Sequence, residues 1–209
     1  MNPEGHRERS IKKQEKSVAG EETLLKIKEI LEESPEDSKT VNQIRYHVEK
    51  YFREKSQIKL VELLPKEAIR LNVECENWED AIRYSADYLL ENGIVEENYV
   101  RAMIDNVVKN GPYIVVGKGF ALPHEALSTA VKATGLSLIR LQNPVAFGKE
   151  ERDPVLWVCC LSAIDKNAHL KAMFHIINIF NDPAFRKKAD VLEHAEEVHR
   201  LIAEYEKEM

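Results

Sequence analysis

Large apolar residues recur at helical spacing along much of this chain, and in one central block the spacing changes to that of strands. Residues 1–20, "MNPEGHRERSIKKQEKSVAG", carry charge and almost no large apolar group, which predicts a disordered tail. Residues 21–58 read as a helical appendage or linker. Leu24, Leu25, Ile27, Ile30 and Leu31 share one broad face, and Val41, Ile44, Val48, Tyr51 and Phe52 form a second stripe after the breaker "ESPEDS". The main domain is predicted to span residues 59–209. It opens with a short helical turn and a strand over residues 69–73. Trp78, Ala81, Ile82, Ser85, Ala86, Leu89 and Leu90 then mark an amphipathic helix stopped by Gly93. The next helix, from about Glu96, has Tyr99, Val100, Met103, Ile104, Val107 and Val108 on its predicted buried face, and Gly111-Pro112 ends it.

The strand block follows. "YIVV", "FAL", "GLSLIRL" and "PVLWVCCLSA" are short, β-branched or continuously apolar, with Gly, Pro and Asn at their borders. The unbroken run of residues 155–161 predicts a central strand buried on both faces. Helical spacing returns after Asp165 with Leu170, Met173, Phe174, Ile177 and Phe180. "NDP" breaks it, a short helix follows, and a last helix carries Val198, Leu201, Ile202 and Tyr205. Helices, a block of strands and helices again predict an α/β fold: a layered sandwich in which helices flank a small mixed β-sheet.

Composition narrows the function classes. With 44% hydrophobic residues in 209 positions, the chain has enough apolar mass for a full core. A formal net charge of −6 argues against a nucleic-acid-binding role for this chain alone. No apolar stretch is long enough to span a bilayer and the first residues are not signal-like, so a cytoplasmic, non-membrane protein is expected. The three cysteines lack metal-ligand or redox spacing and read as reduced, mostly buried thiols.

The candidate chemistry lies in the seven histidines. His6 and His47 fall in the appendage, His194 and His199 are read as solvated, and His175 as a packing residue within a helix. His124 ends an apolar run, "GFALPH", on a loop stiffened by Pro123. His169 stands at the first turn of the helix that follows the other strongly apolar strand. Strand ends and adjacent helix starts are where sites form in open α/β sheets. The pattern alone leaves two outcomes: the imidazoles converge, or each serves its own loop. A two-histidine, one-carboxylate metal set using Asp165 is a weaker alternative, because no HxH or HExxH spacing is present. The sequence also lacks a GxSxG elbow, a P-loop and a GxGxxG fingerprint.

From residue 59 to about residue 202 the chain resembles the type-2 EIIA domain of the bacterial sugar phosphotransferase system, and within it the ascorbate-type branch. The words that carry the resemblance are "LVELLPKEAIRLNVECENWEDAI", "GPYIVVGKGFALPH", "GLSLIRLQNPVAFG", "DPVLWVCCLSAIDKNAHLKAM" and "IINIFND". The resemblance implies a phosphocarrier. His124 would be the phosphoacceptor, taking the phosphoryl group from HPr as a tele-phosphohistidine and passing it to an EIIB component. His169 would stabilise the phosphoryl group. No cofactor and no metal are implied, and a homodimer is left open.

Two departures from the family pattern stand out. The acceptor is followed by "EALSTAV", which puts Glu125 beside it where the family commonly has a small residue and then an arginine. The arginine that the mannitol and fructose branch carries upstream of the acceptor is also missing, with Val108 or a neighbour in that region. Lys118 and His169 are candidates to offset the Glu125 charge. Helical stretches also precede EIIA-like modules in BglG-type transcription regulators, so a regulatory sensor is the alternative to a transport carrier.

Overall fold

The computed structural model describes residues 59–125 and 129–208; the predicted tail and helical appendage lie outside them. The described chain begins with α1 (Leu60–Leu63) and a 3-10 turn (Lys66–Ala68) that leads into β1 (Ile69–Val73). Helices α2 (Trp78–Glu91) and α3 (Glu97–Asn110) follow. The strand block is β2 (Val115–Gly117), β3 (Phe120–Ala121), β4 (Gly135–Val145) and β5 (Val155–Ser162). Three helices close the chain: α4 (Lys166–Asn181), α5 (Pro183–Ala189) and α6 (Ala195–Glu208).

The strands form one mixed sheet in the order β1-β4-β5-β3-β2. β5 sits in the middle, antiparallel to β4 and parallel to β3. Seven of its eight residues are buried, as its unbroken apolar run predicts for a strand covered on both faces. Alternation along β5 assigns its side chains to two cores. Val158 and Cys160 join α2 and α3 residues such as Ile82, Leu89, Met103 and Val107. On the other face the Trp157 ring meets Phe180 of α4 at 5.5 Å, and Phe120 stacks on Phe180 at 4.4 Å. The result is the expected layered α/β sandwich.

Local signals explain the boundaries. Asn77 caps α2 by accepting from the Asp80 N–H at 3.0 Å. Gly93 and Gly111 follow α2 and α3 with φ of 64° and 80°, a region glycine enters without strain. Asp182 caps α5, whose first residue is Pro183.

Three expectations are corrected. Val108 is 69% exposed rather than core, because about 100° of turn per residue carries it past the edge of the buried arc of α3. The run "YIVV" is strand only from Val115, since Tyr113 and Val115 donate backbone bonds to Gly111 and Pro112 in a turn. β4 is longer than the run "GLSLIRL": exposed residues 142–144 carry it on to Val145, which pairs with Val155.

Candidate active site

The parallel pairing of β3 with β5 decides where the site lies. Phe120 is level with Trp157 and Ala121 with Val158, so both strands end at the same edge of the sheet. Beyond β3 the chain stays extended: Leu122 donates its N–H to Ile114 O, and Leu161 donates to Pro123 O at 3.0 Å. His124 is the next residue. Beyond β5, Asp165 turns the chain into α4 by accepting from the Ala168 N–H at 2.9 Å. The His169 N–H then donates to Asp165 O, which places its side chain in the first turn. The two imidazoles converge, with ring centroids 5.1 Å apart and planes inclined at 51°. The Asp165 carboxylate is engaged in its own helix cap.

The two rings are prepared differently. His124 Nδ1 lies 2.7 Å from Leu122 O. A carbonyl only accepts, so Nδ1 carries the proton and Nε2 keeps a free lone pair. Burial pushes the His124 pKa down, while the Leu122 carbonyl and the Glu125 carboxylate pull it partly back. His169 is pushed down to about 4, by burial first and then by His124. Both rings are therefore neutral near pH 7. His169 Nε2 is buried and has no hydrogen-bond partner. A buried polar atom without a partner, on a ring 5.1 Å from the His124 ring, is open to a hydrogen bond with a group bound between them.

Three side chains around His124 were not read as functional from the sequence. Tyr99 and Tyr113 read as core and strand residues, and Asn106 carried no signal. Tyr113 donates its hydroxyl to His124 O at 3.2 Å. Tyr99 accepts the Glu125 N–H at 3.1 Å and donates to Leu161 O at 2.7 Å. Asn106 donates to Glu125 Oε2 and to the Tyr113 hydroxyl, each at 3.0 Å. The one available clue was that a buried tyrosine hydroxyl needs a polar partner. Asn106, not Val108, approaches the loop that carries His124 and Glu125. Lys118 is far along the strand from Glu125: it lies in the β2–β3 turn, at the opposite end of β3 from His124. His194 is exposed and His175 is buried within α4.

A neutral, oriented imidazole with a second imidazole beside it suits transfer of an anionic electrophilic group. Residues 62–205 match the sequence profile of the phosphoenolpyruvate-dependent sugar phosphotransferase system, EIIA 2. The chain belongs to this EIIA family. The ascorbate-specific PTS system EIIA component of Salmonella choleraesuis (strain SC-B67) is 36% identical over 141 residues, covering 67% of this chain and 92% of that protein. In structure, the mannitol-specific cryptic phosphotransferase enzyme IIA CmtB from Escherichia coli superposes with a TM-score of 0.64 at 25% identity, covering 70% of this chain and 99% of that one. The Escherichia coli complex of enzyme IIAMTL with phosphorylated enzyme IIBMTL matches with a TM-score of 0.58 at 28% identity, covering 66% and 95%. This EIIA domain is thus a phosphotransferase component of the phosphocarrier type, in a family that works through a phosphohistidine intermediate.

Proposed function

We propose that this EIIA domain carries the phosphoryl group on Nε2 of His124, receiving it from HPr and passing it to the EIIB component of an ascorbate-type permease. The observation that carries this reading is the Nδ1–H bond to Leu122 O, which leaves Nε2 as the nucleophile next to the unpartnered His169 Nε2. In the forward step the Nε2 lone pair of His124 attacks phosphorus. The P–N bond to the donor imidazole breaks, and its electron pair returns to the donor nitrogen. The Nδ1 proton stays in place, so the phosphorylated ring carries positive charge against the Leu122 carbonyl. Onward transfer reverses the roles: the Nε2–P bond breaks and its pair returns to His124. His169 donates from Nε2 to a phosphoryl oxygen without having to ionise.

The ascorbate-type assignment rests on the Salmonella relative, and the EIIB partner on the likeness to a protein found in complex with its phosphorylated IIB. The carrier role is favoured over a regulatory sensor because similar proteins are ascorbate-specific PTS system EIIA components. Among the described residues no helix is long and apolar enough to cross a membrane. We place the domain in the cytoplasm, where HPr is available. The test is labelling with radioactive phospho-HPr. His124→Ala is expected to abolish the label and keep the circular dichroism of the parent. Undiminished labelling of that variant would remove His124 from the mechanism.

A further inference from the structure

The hydrogen bonds around the acceptor form a closed network whose polarity is consistent throughout. Each tyrosine hydroxyl has one proton to give and lone pairs to receive with. Tyr99 receives the Glu125 N–H and gives to Leu161 O. Tyr113 receives from Asn106 and gives to His124 O. Asn106 spends one amide proton on Tyr113 and the other on Glu125 Oε2. Its own carbonyl oxygen is met by the Asn110 amide. The peptide group that joins His124 to Glu125 is thereby held at both its polar atoms, the carbonyl by Tyr113 and the N–H by Tyr99 of α3. Tyr99 is fully buried, and its bond to Leu161 O reaches the strand whose N–H holds Pro123.

We propose that Tyr99, Tyr113 and Asn106 are positioning residues that clamp the acceptor loop and so hold His124 in the single tautomer and direction that phosphoryl transfer needs. The inference rests on His124 being the acceptor. Its physical basis is the local geometry of the Leu122 bond. The His124 Nδ1–H reaches back to the carbonyl only two residues earlier, so the bond survives only while the backbone keeps the His124 Cα–Cβ bond aimed at that carbonyl, which fixing the peptide after His124 helps to do. The strand-like restraints the fold supplies there, Leu122 N–H on Ile114 O and Leu161 N–H on Pro123 O, both precede His124. The next restraints along the chain are the two tyrosine hydroxyls. Burial raises the Tyr113 pKa to about 12 and raises that of Tyr99 further, so both hydroxyls keep the protons this arrangement uses. Tyr113 adds a second restraint, since its ring meets the His124 ring edge-on at 5.8 Å. Glu125 is tied back onto α3 by the same Asn106 that orients Tyr113.

The experiment compares Tyr113→Phe and Tyr99→Phe with the parent chain and with Tyr84→Phe, an exposed tyrosine away from the clamp. Two quantities are read. The first is the single-turnover rate of phosphorylation by phospho-HPr, well below the melting temperature of every variant. A displacement of about 1 Å at a reacting atom costs on the order of a hundredfold in rate, so a drop of roughly tenfold or more is expected for either clamp variant, and none for Tyr84→Phe. The second is the nitrogen-15 spectrum of the His124 ring, which does not depend on any phosphoryl donor. The parent should show one neutral tautomer with the proton on Nδ1, and the clamp variants a mixture. Asn106→Asp, which can accept from Tyr113 but cannot donate to Glu125, should also populate the mixture. A lowered melting temperature with parental rate and tautomer would make the tyrosines ordinary structural residues and overturn the proposal. If phospho-HPr labels the parent at a residue other than His124, the functional reading fails instead, and the tautomer measurement still decides whether the clamp exists.

Discussion

In the proposed function, Glu125 places a carboxylate next to the ring that takes up a dianion. Its influence on His124 is already visible in the unphosphorylated protein, where it favours the protonated ring. Neither candidate for compensating it serves as a neighbouring cation. Lys118 is at the other end of β3, and His169 is neutral near pH 7. Asn106 holds the carboxylate by a hydrogen bond but leaves its charge in place. The charge should therefore oppose phosphorylation. Glu125→Gln keeps the shape and the oxygen that Asn106 reaches, and removes the charge. The equilibrium phosphorylated fraction against phospho-HPr is expected to rise, with an equilibrium constant about fivefold larger, equivalent to about 1 kcal/mol for a partly exposed charge. The gain should shrink with added salt, as screening predicts. A smaller phosphorylated fraction in the Gln variant would mean that the carboxylate supports the site through its interaction with the ring.

At the scale of elements, the site depends on two strand ends and one helix cap, and these were legible in the sequence for a simple reason. Each is announced locally: "ALPH" by a proline after an apolar run, and α4 by Asp165 three residues before the N–H it caps. The buried central strand was equally legible, because an unbroken apolar run needs no partner to be recognised. The clamp was not legible, since its bonds join residues from 7 to 62 positions apart on different elements and no local pattern encodes them. The same holds for Arg140 on β4. It is only 4% exposed, yet it gives bonds to Asp190 O at 2.9 Å and to Asn72 Oδ1 at 3.0 Å, and lies over the Trp157 ring. A lone arginine in "GLSLIRL" reveals none of these partners. The cap offers a test at this scale. Asp165→Ala removes the acceptor for the Ala168 N–H and should cost about 1 kcal/mol of stability in urea unfolding. It should also loosen the turn that carries His169 and lower the equilibrium phosphorylated fraction, while Asp165→Ser should restore both. A full loss of phosphorylation in the Ser variant would show that the carboxylate itself, and not the cap, is required.

For the whole molecule, two neutral imidazoles held between the sheet edge and α4 tie global stability to pH. Burial lowers the pKa of both rings, with His169 brought to about 4, whereas an unfolded histidine titrates near 6.5. As pH falls from about 6.5 toward 4, the unfolded chain binds protons that the folded domain refuses. The stability conferred by neutral burial is thus fully present above about pH 6.5 and is lost as pH falls through the folded value. For His169 alone, the loss between pH 7 and pH 5 is on the order of 2 kcal/mol, and His124 acts in the same direction. Carboxylate titration lies mostly below this window, so the histidines dominate it. His169→Asn carries no titrating group at that position. Its unfolding free energy in urea is therefore expected to fall less between pH 7 and pH 5 than that of the parent, by that same order of magnitude. Below about pH 4, where the parent ring is protonated in both states, the two curves should run parallel, with the parent's loss complete. Equal slopes for parent and variant would mean that His169 binds its proton as readily folded as unfolded, and that solvent reaches Nε2 before any phosphoryl group does.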